Sequence, residues 1–531
     1  MAANKKLTKL FTEIADSIRE VKDIVRPLSP SEFPEAIKGM DKRPVVERDI
    51  NFYDYEGTLL YSYDISEIKN LKELPPLPYH EGLICQGWNW DYEDVIALDY
   101  PMNIGAMYIT DDGKTRIHIC IETMDYSTIP LYLYQSVSNG ISIDWGDGSP
   151  IEALEGINNV SGSHSYAQVG EYVITLDPLD ECVVGLGQSN NVGVVGNRSL
   201  SSQPTMWNNT LIRKVFFGKN ITKYMGCCTY CYYLEEATFP AYWTQWMLGT
   251  TCSIKHINIP KNVKTLPAYS IASIAFYLKR ISLPNGILEL SMGIYGCTEL
   301  VSLTLPDSIT SISNMSTMNS LTSLRLPKNL VTAGNNCLQN CNQTTIEELP
   351  TTLRIIGTSA FTGVRLKKAD IRGVSELKNS AFKNTTLRQF ILPRKAEIME
   401  QYFCSNTGIR KIVLPENLSA FETYAMMSNY FLMELYLPST LQSIGVQAFA
   451  ANWSCKFYDF TACNQVPVLS NSNAFQAIRT DCEIRVPEDL YEEWVAATNW
   501  ATYADYIKPY PRTEYDYDAL MRQYYGDEFT E

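Results

Sequence analysis

Four histidines, His80, His118, His164 and His256, are the only imidazoles among 531 residues. Proton-transfer or metal chemistry would have to be assembled from these, from the 59 acidic residues or from the 14 cysteines. None of them stands in a word that such chemistry requires: there is no HExxH, no GxSxG and no glycine-rich phosphate loop. Cys228 and Cys231 make a single CxxC, with no second pair or neighbouring His to complete a four-ligand zinc site. The adjacent acids Glu235–Glu236 and Glu347–Glu348 are the types that hydrolyse glycosides. Neighbours along a strand point to opposite faces, however, so only acids from different segments could converge. Asp144, Asp147 and His164 surround a Gly-Asp-Gly turn, where Asp side chains bond turn N–H groups. The residues predict no catalytic centre, no metal site and no cofactor.

What the chain offers instead is aromatic surface. It holds 34 Tyr and nine Trp, residue types favoured in recognition surfaces. The densest patch runs through Tyr224, Tyr230, Tyr232, Tyr233, Tyr242, Trp243 and Trp246. Trp88 and Trp90 form a second, smaller group, read as packing against the neighbouring sheet ahead of a sugar platform. A net charge of −15 and a pI near 4.9 argue against a nucleic-acid partner. No run of 18 apolar residues is present to insert into a membrane, and Met1–Arg26 has no continuous apolar stretch of the signal-peptide kind. The scattered cysteines read as buried free thiols.

The elements that position these residues follow from periodicity. Leu7, Phe11, Ile14, Ile18, Val21 and Val25 are spaced alternately four and three apart, a heptad seam on a helix over 4–26 that Pro27, Pro30 and Pro34 end. The seam predicts an oligomerisation site, with a homo-oligomer, including a trimer, as the outcome. Residues 1–45 are thus a helix and connector, and 46–130 a β-rich spacer. Two hairpins are expected in the spacer, about Gly57 and across Asp111-Asp112-Gly113-Lys114. Residues 131–180 read as a small β-sandwich. From 205 to 487 an apolar residue followed by Pro recurs about every 22 residues, nine times from Pro240 to Pro438. A fixed period of that length predicts stacked rungs, each with a short strand ending at Pro. Residues 488–531 read as a cap with an acidic, Tyr-rich tail. The fold class is mainly β with an N-terminal helix.

Three resemblances attach to these words. Strand-Pro rungs with Leu353-x-x-Ile356-Gly357-x-x-Ala360-Phe361 and Leu441-x-x-Ile444-Gly445-x-x-Ala448-Phe449 resemble BspA-type leucine-rich repeats, which implies a solenoid. Trp145-Gly146-Asp147-Gly148, His164-x-Tyr166 and Gly170-x-Tyr172-x-Ile174 resemble the polycystic-kidney-disease (PKD) type domain, which implies an immunoglobulin-like sandwich. Leu7-Thr-Lys-Leu10-Phe11 through Ile18, followed by Phe33-Pro34-Glu35-Ala36-Ile37, is similar to the opening of bacteriophage tail and baseplate-associated proteins. Together they imply a non-enzymatic virion tail protein, a fibre or receptor-binding protein, assembled in the host cytoplasm among other tail proteins. Its repeats would meet a glycan or protein receptor on the host. The candidate receptor surface is Tyr230, Tyr232, Tyr233, Trp243, Trp246, Arg325 and Tyr436, the last two on the outward face of the ladder. The alternatives are a bacterial BspA-like surface adhesin and a glycan-degrading tail enzyme.

Overall fold

The computed structural model describes residues 45–187, 192–197, 211–224, 231–239, 253–266, 271–272, 277–292 and 294–526. The heptad residues Leu7 to Val25 lie outside them, as do Cys228, Tyr230, Trp243 and Trp246.

The alternating apolar residues about Gly57 form the first expected hairpin. β1 (Ile50–Tyr53) and β2 (Leu59–Tyr63) pair antiparallel, with Ile50 opposite Tyr63. β3 (Leu83–Trp88) and β4 (Met102–Thr110) complete a sheet in the order β2-β1-β4-β3. Short helices α1 (Ile65–Ile68) and α2 (Tyr92–Ile96) contribute Ile68 and Val95 to its core, with Phe52, Trp88, Ile104 and Tyr108. Trp88 is edge-on to Phe52 at 4.9 Å, and its indole N–H donates to the Pro75 carbonyl at 3.0 Å.

The second expected hairpin does not form. Gly113 N–H does close a turn onto the Thr110 carbonyl at 3.3 Å. Yet β5 (Thr115–Ile121) leaves for another sheet. The reason is that β4 has both edges occupied, by β1 and β3, and so has β5. A turn dipeptide fixes the reversal but not which edges are free to pair.

β5, within the span read as spacer, and β6 (Thr128–Gln135), which begins in it, pair with the next module. That module adds β7 (Ile141–Asp144), β8 (Glu152–Ala153), β9 (Asn158–Ser165), β10 (Gly170–Pro178) and β11 (Val184–Leu186). After the two-residue strands β12 (Val192–Gly193) and β13 (Gly196–Asn197) come β14 (Ile212–Phe216), β15 (Ile221–Tyr224) and β16 (Glu236–Ala237). One sheet runs β16-β14-β5-β10-β7-β8 and the other β15-β11-β6-β9. Residues of both, including Ile119, Leu131, Ile143, Trp145 and Ile174, belong to one core. β14 pairs antiparallel with β5 and parallel with β16. It is therefore both a strand of this module and the first rung of the repeats.

From β16 onward the chain is a β-solenoid. Most strand-Pro words make parallel strands in register at the repeat period, while 409–414 stays irregular: His256 faces Arg280, and Glu434 faces Phe457, which in turn faces Glu483. The second word makes another parallel ladder, from Thr265–Leu266 through Ser311–Ser313 and Ile355–Ile356 to Glu376–Leu377. Ala360, Phe361, Ala448 and Phe449 are buried between the ladders. Gly357 and Gly445 serve close approach between rungs. A Cβ on either would come 2.6 Å from backbone of the preceding rung, at Asn335 N and Glu422 C. One continuous core runs from Ile117 to Ile507.

The open end is closed by α3 (Tyr491–Ala496) and the 3-10 turn Trp500–Tyr506. Trp494 and Trp500 are fully buried there. The tail is docked: α4 (Tyr517–Tyr525) lays Tyr517 and Met521 against Ile391 and Val413.

Candidate functional site

The outward strand face of the repeats, where a partner was expected to sit, is largely covered by the chain itself. At the early rungs the small sheet sits on it through side chains that bridge to backbone. Asn258 donates to the Ala106 carbonyl at 3.0 Å and the Asp54 carbonyl at 3.2 Å. Asn89 donates to the Ile259 carbonyl at 2.9 Å, and the Trp90 indole to the Leu283 carbonyl at 2.8 Å. Thr238, Asn258 and Ser282, which share the ladder position of Arg325 and Tyr436, are buried. At the late rungs α4 covers Ile391 and Val413, pinned by Tyr515 to the Leu414 carbonyl at 2.7 Å and by Tyr524 to Glu434 at 2.7 Å. Glu348 and Asp370 lie between the two covers, and Asp370 is held by Arg372 at 2.9 Å.

The candidate receptor residues are dispersed by this arrangement. Arg325 is part of the brace to the small sheet. Its guanidinium forks onto buried Asp307 at 2.8 and 3.1 Å and lies 4.0 Å over the Tyr100 ring. Tyr436 is half-buried, edge-on to Phe457 at 5.5 Å, and stands five rungs further on. Tyr233 is exposed beneath the Arg213 guanidinium, and half-buried Tyr232 uses its carbonyl to accept from Ser253 at 2.8 Å. Only Tyr232 and Tyr233 of the described members are neighbours. Trp88 and Trp90 are both buried.

The acids and imidazoles are likewise engaged. Glu236 accepts from Tyr55 at 2.5 Å and pairs with Lys214, while Glu347 pairs with Lys367 at 3.1 Å. His164 bonds Asp147 at 2.8 Å and stacks on Trp145, and the Tyr166 hydroxyl donates to the Trp145 carbonyl at 2.8 Å. Ser149 and His164 hold Asp147 down at about 2. His80 bonds buried Asp54 at 2.7 Å. Burial pushes the Cys341 thiol up to about 11 and Cys463 to about 12, so neither is a thiolate at neutral pH. Among the described residues no three His, Cys, Asp or Glu come together as a metal would need, and no helix is long and apolar enough to cross a membrane.

His256 is held down at about 4 by burial and by Arg280, Lys255 and Lys279. It packs against Gly57 of the small sheet, where an added Cβ would fall 2.1 Å from the ring. The ordinary value is 6.5, so between these values the unfolded chain takes up a proton that the folded chain refuses. Stability present above pH 6.5 should therefore be lost as pH falls toward 4. Urea midpoints measured across that range should decline, and His256→Gln should flatten the decline relative to the parent chain.

Open concavities on the described surface include, besides one of about 330 Å³ lined by Pro350, Leu353, Asp370 and Arg372, two others. One, of about 330 Å³, lies where the small sheet, the sandwich and the first rungs meet, lined by Trp88, Met107, Ile109, Asn220, Phe239 and Lys261. The other, of about 310 Å³, crosses three rungs beside the strand face and is lined by Thr385, Thr386, Arg388, Asn406, Thr407, Gly408, Arg410, Tyr430 and Phe431. Sequence reading missed this second groove because its candidate ladder residues, Arg325 and Tyr436, came from the outward face alone. The position after the first apolar residue reads Lys367, Arg388, Arg410, Met433 and Lys456, a cationic line that the same period would have exposed.

Against known proteins, a family model described as the BspA type leucine rich repeat region matches six copies over residues 198–275, 270–387 and 372–480. No curated protein matches the chain. Among solved structures, a leucine-rich repeat protein from Bacteroides ovatus ATCC 8483 is 18% identical, with a TM-score of 0.38 over 57% of this chain and 92% of that one. A leucine rich cell surface protein from Faecalibacterium prausnitzii A2-165 is 12% identical, with a TM-score of 0.31 over 54% and 93%. The pneumococcal vaccine antigen PcpA is 14% identical, with a TM-score of 0.32 over 57% and 85%. With the matched repeats reaching from 198 to 480, more than half the chain, and the rungs stacked in register at the same period, the protein belongs to the BspA-type leucine-rich-repeat family.

Proposed function

We propose that this is a non-enzymatic surface-binding protein of the adhesin kind, in which the repeat solenoid holds a partner on a cell surface. The observation that carries this reading is the second groove. It leaves exposed Tyr430, Phe431, Arg388 and Arg410 together on a stack of rungs with a close-packed core, a rigid platform of the kind that recognition favours. The pairing of Glu236 with Lys214 and of Glu347 with Lys367, and the burial of the thiols, support binding over hydrolysis. The sandwich, read as a PKD-like spacer, and the small sheet would brace the platform. Fluorescently labelled full-length chain should bind bacterial or host cells saturably and be displaced by unlabelled chain, without releasing reducing sugar. Absence of saturable binding would sink the proposal, and new reducing ends would favour the glycan-degrading alternative.

A second reading keeps the protein in a phage tail, as a receptor-binding or baseplate-associated component, with the heptad residues as its oligomerisation site. It is favoured by the Leu7–Ile18 words and the Phe33-Pro34-Glu35-Ala36-Ile37 that follows. Immunogold labelling of purified particles tests it; unlabelled tails would remove it.

A further inference from the structure

We infer that the groove beside Gly408 binds a carboxylate-bearing sugar, gripping the carboxylate with Arg388 and Arg410 and stacking the ring on Phe431. The inference rests on the surface-binding reading and names the ligand chemistry.

Gly408 lies in the lining of the groove. Thr386, Gly408 and Phe431 occupy the same place in successive rungs, each immediately before the buried apolar residue that opens the strand word: Leu387, Ile409 and Leu432. At Gly408 a Cβ would press on the Leu387 and Thr386 carbonyls at 3.1 and 3.2 Å. The missing side chain leaves a notch with Thr386 on one side and Phe431 on the other. Phe431 is 55% exposed, an unusual place for so large an apolar group, and Tyr430 beside it leans on exposed Trp453 at 4.8 Å. An aromatic face left to water at the wall of a polar notch suits the apolar face of a pyranose ring.

The charges point the same way. In a chain of net charge −15, cations near this surface are generally matched: Lys367 by Glu347, Arg394 by Glu416, Lys411 by Glu434. Arg388 and Arg410 are both exposed and, among the described residues, have no carboxylate within ion-pair distance. They stand at the same position of neighbouring rungs and line the same groove. Two unmatched guanidinium groups lining one groove repel one another, and a shared carboxylate converts the repulsion into forked, charge-assisted hydrogen bonds. Thr386 and Asn406 line the rest of the notch and offer oxygens to sugar hydroxyls. A volume of about 310 Å³ suits one or two sugar units rather than a folded partner.

Carboxylated sugars come from two sources, sialylated host glycans and uronic-acid polymers of plant or bacterial walls. Calorimetric titration of the full-length chain with sialyllactose, trigalacturonate and neutral lactose separates them. At least one acidic probe should bind about ten-fold or more tightly than lactose, and its affinity should fall as salt rises. Arg388→Ala/Arg410→Ala should weaken that binding about ten-fold or more, and Phe431→Ala several-fold, with an unchanged thermal transition showing that each variant folds. The inference is overturned if neither acidic probe binds, or if the arginine pair can be removed without effect. Cell binding that survives in the arginine variant would reject the ligand and keep the surface-binding reading. Loss of both together supports the inference.

Discussion

Trp500→Ala is expected to destabilise the last rungs by about 3–5 kcal/mol, as other buried Trp and Phe truncations do. Trp500 is fully buried at the centre of an aromatic cluster: Trp494 lies 4.5 Å away by ring centroid, and Phe460 and Phe475 each 5.6 Å. Its indole N–H donates to the Pro467 carbonyl at 2.7 Å. Removing it opens a cavity and orphans that carbonyl. In a stack where each rung touches only its neighbours, the loss should spread inward from the end and fade with distance. Hydrogen exchange should quicken over 457–510 and remain slow over 300–350. Trp500→Phe, which keeps most of the volume but not the donor, should recover part of the loss. Unchanged protection at the end strands would show that the cap does not hold the solenoid closed.

The second large effect is expected at Gly105→Val. A Cβ at Gly105 would sit 2.2 Å from Cγ and 2.6 Å from Cβ of Asn258. Asn258 is 6% exposed and is committed to the Ala106 and Asp54 carbonyls, so it has no room to swing aside. The branched side chain should cost about 3 kcal/mol at this junction and part the small sheet from the early rungs. Proteolysis should then cut between 111 and 114, and small-angle scattering should show a larger radius of gyration. Protection of the late rungs should be unchanged. A variant as compact and as resistant as its parent would mean that the junction tolerates separation without the sheet leaving.

The solenoid was legible in the sequence because its determinants are local and repeated: an apolar pair at alternating positions, a proline where a strand can end, and an Ala-Phe plug. Leu435, Pro438 and Phe449 each stand where the period put them. The docked small sheet was not legible. Its contacts are made by ordinary amide and hydroxyl side chains, Asn89, Asn258 and Tyr100, to backbone groups some 150 to 207 residues away, and no local pattern marks an Asn for that role. The same gap explains why Asp111–Lys114 read as a hairpin: the turn was local, whereas the edges it had to join were already paired by distant strands. It also explains the receptor face. Alternation showed which residues point outward from a rung, but not that another part of the chain would lie on them. Arg388, Gly408 and Phe431 were visible as letters, and their meaning came from stacking three rungs side by side.

The shared strand β14 has a mechanical consequence. It is hydrogen-bonded to β5 on one side and to β16 on the other, so the sandwich and the first rung share one sheet. A pull between the front modules and a ligand held at the Gly408 notch would therefore load the backbone hydrogen bonds on both edges of β14 in shear. Such a junction resists tension as a welded seam does, and it suits a molecule that must keep its grip while liquid moves past the surface it holds.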